Sequence, residues 1–291
     1  MRSKLLAYGL TGFAFFVLLA GPACGGRGMS IDQDSHGTVQ PPAASNLITL
    51  FLAGDVMTGR GIDQVLPHPS DPLIHEPVIT SAVAYVELAE RANGPIPKPV
   101  GYAYIWGDAL EEWERAQPDL RLINLETSVT ASNEYWEGKG INYRMHPDNI
   151  PSLAAANIDY CSLANNHVLD WGYAGLAETL ATLKRADIRT AGAGHDLQEA
   201  ESPAVLGVEG KGRVIVFSYG SATSGIPAGW AAAEDRPGLN LLADLSDQTV
   251  LRIKAGVEAV AGQGDIVVAS IHWGDNWGYE VPAEQRAFAH K

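Results

Sequence analysis

At 291 residues, 46% of them hydrophobic and 19% charged, the chain has ample apolar material for one large domain or two small ones, and global disorder is excluded. Its formal net charge of −14 argues against a nucleic-acid partner. The same charge opposes an anionic substrate unless metal ions or local basic residues reverse the field at the site.

The first residues read as a targeting segment. Arg2 and Lys4 precede an apolar stretch, 5–20, and Gly21-Pro22-Ala23-Cys24 follows. A basic head, an apolar middle and small residues at the end describe a secretory signal over 1–23. The stretch is short for a transmembrane helix, which leaves an uncleaved anchor as the alternative. The residues before Cys24 resemble a lipoprotein box, with Gly21 where a Leu is usual, so acylation of Cys24 and simple cleavage both fit. Residues 24–46 are polar and carry Gly, Ser and Pro without period, the composition of a flexible tether. The expected domain is 47–291, placed outside the cytoplasmic membrane and either anchored or secreted. Cys161 sits in an apolar run and reads as a buried free thiol, with a Cys24–Cys161 disulfide as the alternative that the lipoprotein-box reading disfavours; no disulfide framework is present, so the core must stabilise the domain.

Along the domain, 47–53 reads as a strand and 80–92 as a helix with Val83, Val86 and Ala89 on one spacing. A Pro/Gly loop covers 93–100. A short helix over 108–116 has Asp108 as its cap and ends before Pro118, and 120–125 is a strand. Residues 134–144, with Tyr135, Trp136, Tyr143 and two glycines, read as a hairpin or loop. Asp148 caps a helix with Pro151 in its first turn, and 160–163 is a strand. In the next helix Leu176, Leu180 and Leu183 share one face, with Asp170 as a candidate N-cap. A strand at 188–191 leads into the turn 192–196. Segments 204–208 and 213–219 form an antiparallel pair. A loop carrying Trp230 spans 221–240. Ser246 caps a helix containing Val250, Ile253 and Val257, 265–271 is an apolar strand, and a last helix begins at Pro282. Strands alternating with helices imply a layered α/β domain. The helix from Pro282 stops with no strand after it, as expected for the N-terminal part of a longer protein.

Four apolar runs end in polar residues, and open α/β sheets collect ligands at that end of their strands. The first ends at Asp55, the second at Asn124 and Glu126, the third at Asn165-Asn166-His167 with Asp170 behind them, and the fourth at His272. Asp, Glu, Asn and His together suit a hard or borderline divalent metal. Each has a plainer reading. Asp55 is a metal ligand or a turn-former, and Glu126 a ligand or a capping residue. Asn124 and Glu126 share a strand face. His167 is a candidate proton donor, on a loop expected to be exposed. Asp170 orients His167, caps the helix, or does both. Arg60 holds an anionic group bidentately or lies in a surface ion pair. His272 is a ligand or a satisfied core residue. Trp273 and Trp277 follow it and are candidates for an apolar wall at a substrate mouth.

Taken in order, GDVMTGR (54–60), NLE (124–126), ANNHVLDWG (164–172), TAGAG (190–194) and IHWG followed by Glu280, Pro282, Gln285 and His290 resemble the bacterial poly-γ-glutamate capsule synthesis proteins of the CapA type. That family looks like a branch of the calcineurin-like metallophosphoesterases. The resemblance implies a four-layer α/β/β/α sandwich, with one or two divalent ions (Mn, Fe or Zn) held by strand-end loops. It implies metal ligation by Asp55, Glu126, Asn166 and His272, and catalytic roles for His167 and Asp170. Arg60, Asn165 and Trp273 are the candidate substrate contacts. Met57 stands where the His of the usual Asp-x-His opening would fall, and the family's last metal motif would lie beyond Lys291, so the fold is expected to be incomplete at its C-terminus. The function implied is extracytoplasmic synthesis or processing of poly-γ-glutamate, through metal-dependent hydrolysis of a phosphoester or amide. The alternative is a non-catalytic polymer-binding or export module. The implied partners are the anionic polymer, the membrane through the N-terminal signal or lipid, and membrane proteins of capsule synthesis.

Overall fold

The hydrophobic alternation along the strands sorts their side chains into two cores, one on each side of a sheet. The structure is a computed structural model that describes residues 47–291. The expected signal segment over 1–23, Cys24 and the expected tether over 24–46 lie outside the described residues. β1 (Leu50–Val56), β2 (Leu120–Leu125), β3 (Tyr160–Ser162) and β4 (Arg189–Ala191) form a parallel sheet in that order. β5 (Ala204–Val208) and β6 (Gly212–Gly220) form the expected antiparallel pair, and β7 (Ile266–His272) adds to β6 in parallel.

The two sheets face each other. Leu50, Leu52, Leu120, Leu122 and Tyr160 of the first meet Ala204, Leu206, Val214, Val216 and Val268 of the second. The residues between them in sequence point outward. Phe51, Ile123 and Cys161 pack under Trp113 of α2 (Ala109–Ala116) and Leu176, Leu180 and Leu183 of α3 (Gly172–Arg185). The helix Val83–Asn93, α1, covers a smaller cluster around Val65, Leu66 and Val100. On the other side Ile215, Phe217 and Ile271 pack under Val250, Ile253 and Val257 of α4 (Asp247–Val260) and Phe288 of α5 (Ala283–Ala289). The result is the expected α/β/β/α sandwich. Buried Cys161 is a free thiol, as expected. Among the described residues no helix is long and apolar enough to cross a membrane.

Several local expectations are corrected. The first strand runs to Val56, so Asp55 lies within it rather than in a turn past it. Ser246 does cap α4, accepting from the Thr249 N–H, but Asp108, Asp148 and Asp170 do not cap their helices. Asp108 is itself helical, so its side chain cannot fold back over the first turn. His146 takes the capping role at the turn before Pro151. Trp171 stands at the N-cap of α3, because the Asp170 carboxylate is occupied elsewhere. The segment 134–144 is irregular and ends in a short parallel pairing of Arg144–Met145 with Ser128–Val129.

Candidate active site at the strand ends

Between the sheets the inner faces change character toward the C-terminal ends of the strands. Above the Leu122, Val216 and Val268 layer sits a layer of hydroxyls. Ser162 Oγ lies 2.5 Å from Ser218 Oγ, and Ser270 Oγ 3.4 Å from Ser162 Oγ. Gly192, at φ +93°, makes this close approach possible, since a Cβ there would stand 2.4 Å from Ser218 Oγ. Above the hydroxyls come Asp55, Asn124 and His272.

A bulge in β1 places Asp55 there. Leu52 pairs with Leu122 and Asp55 with Asn124, so β1 spends three residues where β2 spends two. The extra residue reverses the pleat and turns Asp55 to the same inner face as Leu52. Asn124 Nδ2 donates to Asp55 Oδ1 at 2.6 Å and lies 3.3 Å from His272 Nδ1. His272 Nδ1 stands 3.5 Å from Asp55 Oδ1, and its Nε2 3.1 Å from Asn166 Oδ1. The second oxygen of Asp55, Oδ2, is buried with no hydrogen-bond partner.

Glu126 leaves β2 with its N–H donated to Val56 O at 3.1 Å, and its carboxylate lies 3.7 Å from His167 Nε2. Burial and then the Asp55 charge push the Glu126 carboxyl up to about 8. Burial also works against ionisation of Asp55, but His272 and Asn124 outweigh it and hold that carboxyl below its usual range. Two carboxylates this close share a proton unless a cation replaces it. A divalent ion would take the place of that shared proton and give the buried Asp55 Oδ2 a partner, so the donor set fits one. Its donors would be Asp55, Glu126, Asn166 and His272. Among the described residues no group of three or more His, Cys, Asp and Glu side chains is closed in ligating geometry; the amide of Asn166 is part of the set, and Glu126 is turned toward His167.

His167 is not an exposed loop residue. It is 6% exposed, with Tyr143 stacked on its ring at 3.9 Å. Its Nδ1 lies 2.6 Å from Asp170 Oδ2, which also accepts from the Tyr143 N–H at 2.6 Å. The other Asp170 oxygen takes the Lys139 ammonium at 2.5 Å, and Lys139 Nζ stands 2.9 Å from His167 Nδ1. An ionised carboxylate only accepts, so the 2.6 Å contact calls for a proton on His167 Nδ1; Lys139, itself a donor, then bonds to Asp170 rather than to that nitrogen, and Nε2 is left at the rim. The main chain joins in: Asp170 O accepts from Trp136 N–H at 2.7 Å and from Asn142 Nδ2 at 3.1 Å. The irregular 134–144 segment is thus docked on Asp170, and it carries Lys139 and Tyr143 onto His167. Burial depresses the Lys139 ammonium, while Asp170 and Glu126 work to keep it charged.

The structure brings Asp55, Asn166 and His272 together, with Glu126, His167 and Asp170 alongside. Asn165 is fully buried, and all its contacts are internal. Its Nδ2 donates to Asn124 Oδ1 and Leu125 O, and its Oδ1 accepts from the His167 N–H. It shapes the turn and has nothing left for a substrate. Trp273 is not at the mouth either. Next to inward-facing His272 it points outward and packs on Phe288, ring centroids 6.0 Å apart. Trp277 is 85% exposed. Arg60 pairs with Glu76 at 2.6 Å and lies against the ring of Tyr143. Lys139 and Tyr143 are the residues the sequence reading missed. The available signal was Gly138-Lys139-Gly140, a lysine between two glycines in an aromatic stretch without period.

Comparison with known proteins places this architecture. A model of the bacterial capsule synthesis protein family PGA_cap matches residues 49–291. The chain belongs to that family. Its sandwich is consistent with the metallophosphoesterase-like fold in which the family stands. A probable polyglutamine synthesis accessory protein of Mycobacterium tuberculosis is 47% identical over 247 residues, covering 84% of this chain and 65% of the relative. The capsule biosynthesis protein CapA of Bacillus anthracis is 23% identical over 83% of this chain and 50% of its own length. The PGA biosynthesis protein CapA of Bacillus subtilis is 25% identical over 84% of this chain and 54% of its own. The chain therefore spans just under two thirds of the mycobacterial relative and about half of the Bacillus proteins.

Proposed function

We propose that this chain is an extracytoplasmic accessory protein of capsular polyglutamate synthesis, with a metal-dependent hydrolytic site at the strand ends. Family membership and the names of the relatives support the role. The basic head, the apolar stretch 5–20 and Cys24 support display outside the membrane, by anchor or lipid. Membrane proteins of capsule synthesis are then natural neighbours.

One observation carries the hydrolytic reading: a buried Asp55 with an orphaned oxygen, against His272 and Asn166 and beside a Glu126 that holds its proton to about pH 8. Asp55, Glu126, Asn166 and His272 would hold Mn, Fe or Zn. Such an ion, when bound, polarises a substrate oxygen and acidifies water, which phosphoester and amide hydrolysis both need. The chain's own residues handle the proton and the pose. Asp170 fixes the ring of His167, and Nε2 of His167 exchanges a proton with the reacting group. Lys139 and the Tyr143 N–H hold Asp170 in place, and the Tyr143 ring closes one side of His167 against water.

The second reading is a non-catalytic polymer-binding or export module. The unclosed ligand geometry among the described residues favours it. Assays of the full chain with manganese, on a γ-linked glutamate oligomer and on bis(p-nitrophenyl) phosphate, separate the two. Turnover of either that is lost in His167→Asn supports the hydrolase. No turnover of either, with the oligomer still bound, supports the binding module.

A further inference from the structure

The outer face of the second sheet holds a cavity of about 410 Å³ that shares no residue with the strand-end site. It lies between β6, α4 and the short helix Leu197–Glu201. Phe217, Leu242 and Ile253 give it an apolar surface. On β6, Ser218 points inward to the hydroxyl layer, so its neighbours Phe217 and Tyr219 point outward and line the cavity. A volume in this range, apolar with a few polar groups, is typical of a small-molecule pocket. α4 runs past it with Gly256, although glycine is unfavourable inside a helix. Packing does not demand that glycine: a Cβ there would meet only Phe217 Cε1, at 4.0 Å. A larger side chain would grow into the cavity, and glycine keeps it open.

Three polar groups at the cavity are unused. Tyr219 is 8% exposed, and its hydroxyl makes no hydrogen bond with a described residue. Arg252 and Glu201 stand exposed at the rim and form no ion pair or hydrogen bond through their side chains among the described residues. Burial and then the Glu201 charge raise the Tyr219 hydroxyl to about 12, while Arg252 pulls it down, so an anion and a cation flank one protonated donor. Asp244 also feels Arg252, but its Oδ1 already takes Ser246 and Thr249. A plain carboxylate would suit Arg252 and meet repulsion from Glu201, and a plain amine would leave the guanidinium fork idle. A zwitterion answers both charges, and its carboxylate accepts from guanidinium and phenol alike. We propose that the cavity binds a free apolar α-amino acid, with its side chain against Phe217, Leu242 and Ile253, its carboxylate on Arg252 and Tyr219, and its ammonium on Glu201. The proposal goes beyond the polymer reading and does not depend on it, since Phe217 and Tyr219 lie on the opposite face of the second sheet from His272.

Calorimetry on the full chain in detergent, with a chelator present so that no cation holds a carboxylate at the strand-end site, tests the proposal. The main probes are L-leucine and L-phenylalanine. The controls are leucine amide, which lacks the carboxylate, isocaproate, which lacks the ammonium, and L-glutamate, whose charged side chain does not suit the apolar surface. Saturable binding of leucine or phenylalanine is expected, with each control at least about tenfold weaker. Arg252→Gln should weaken that binding by about tenfold, and Gly256→Leu, which fills the cavity, should abolish it. The comparison of probes uses the wild type alone, so a variant that fails to fold leaves the test intact. No saturation by leucine or phenylalanine up to about 10 mM overturns the proposal. So does any control that binds as tightly as the better of the two, or unchanged binding in a folded Gly256→Leu.

Discussion

Asp170 accepts the Nδ1 proton of His167 at 2.6 Å while standing fully buried behind it. The same side chain seats Lys139 and the Tyr143 N–H, so orientation of the histidine and docking of the 134–144 loop are one device. Asp170→Asn keeps the shape but strands the Lys139 ammonium in a buried place. Removing one partner of such a pair costs about 3 kcal/mol or more. Urea unfolding should show a loss of that order, with Lys139→Met restoring part of it in the double variant. Equal stability of Asp170→Asn and the parent would show that the loop is held by other contacts.

Glu126 gives the metal-free protein a definite pH signature. Its folded pKa is raised from the ordinary 4.5 to about 8 by burial and by Asp55. A raised folded pKa contributes stability that is fully present below the unfolded value and is lost as pH rises through the folded one. Chelated wild type should therefore lose stability between about pH 4.5 and pH 8, and Glu126→Gln should lose less. Melting curves at pH 5 and pH 8 check this: the advantage of the variant should widen at pH 8. A constant gap would mean that burial and the Asp55 charge do not raise the Glu126 carboxyl.

Trp273 belongs to the outer core with Phe217, Tyr219 and Phe288. Trp273→Ala should destabilise the fold by about 3–5 kcal/mol, as large-to-small aromatic changes do in cores. Oligomer affinity of the folded fraction should stay unchanged. A variant of normal stability with weakened oligomer binding would return Trp273 to the substrate mouth.

The layered fold and the polar strand ends were legible because each inner strand carries its own signal. Leu120–Leu125 and Tyr160–Ser162 are short apolar runs that stop in amide or hydroxyl residues, and parallel pairing puts those stops on one rim. Three features were not legible. The bulge between Leu52 and Asp55 depends on pairing with β2, which a single run does not reveal. The outward turn of Trp273 is a matter of strand phase, since one residue of register exchanges the site face for the core face. Lys139 and Tyr143 sit in a loop without period, and only the buried Asp170 at its centre gives that loop a shape. The three aspartates expected to cap helices failed for a related reason. A cap needs an extended backbone and an idle side chain, and Asp170 has no idle oxygen.

The central claim is that Asp55, Glu126, Asn166 and His272 together hold a divalent cation. Manganese titration of the chelated full chain, followed by calorimetry beside Asp55→Asn and His272→Ala, tests it most directly. The account predicts saturable binding by the wild type and a loss of at least about tenfold in each folded variant, because each change removes a ligand from a small donor set. Undetectable binding by the wild type, or variants that bind as the wild type does, would contradict it.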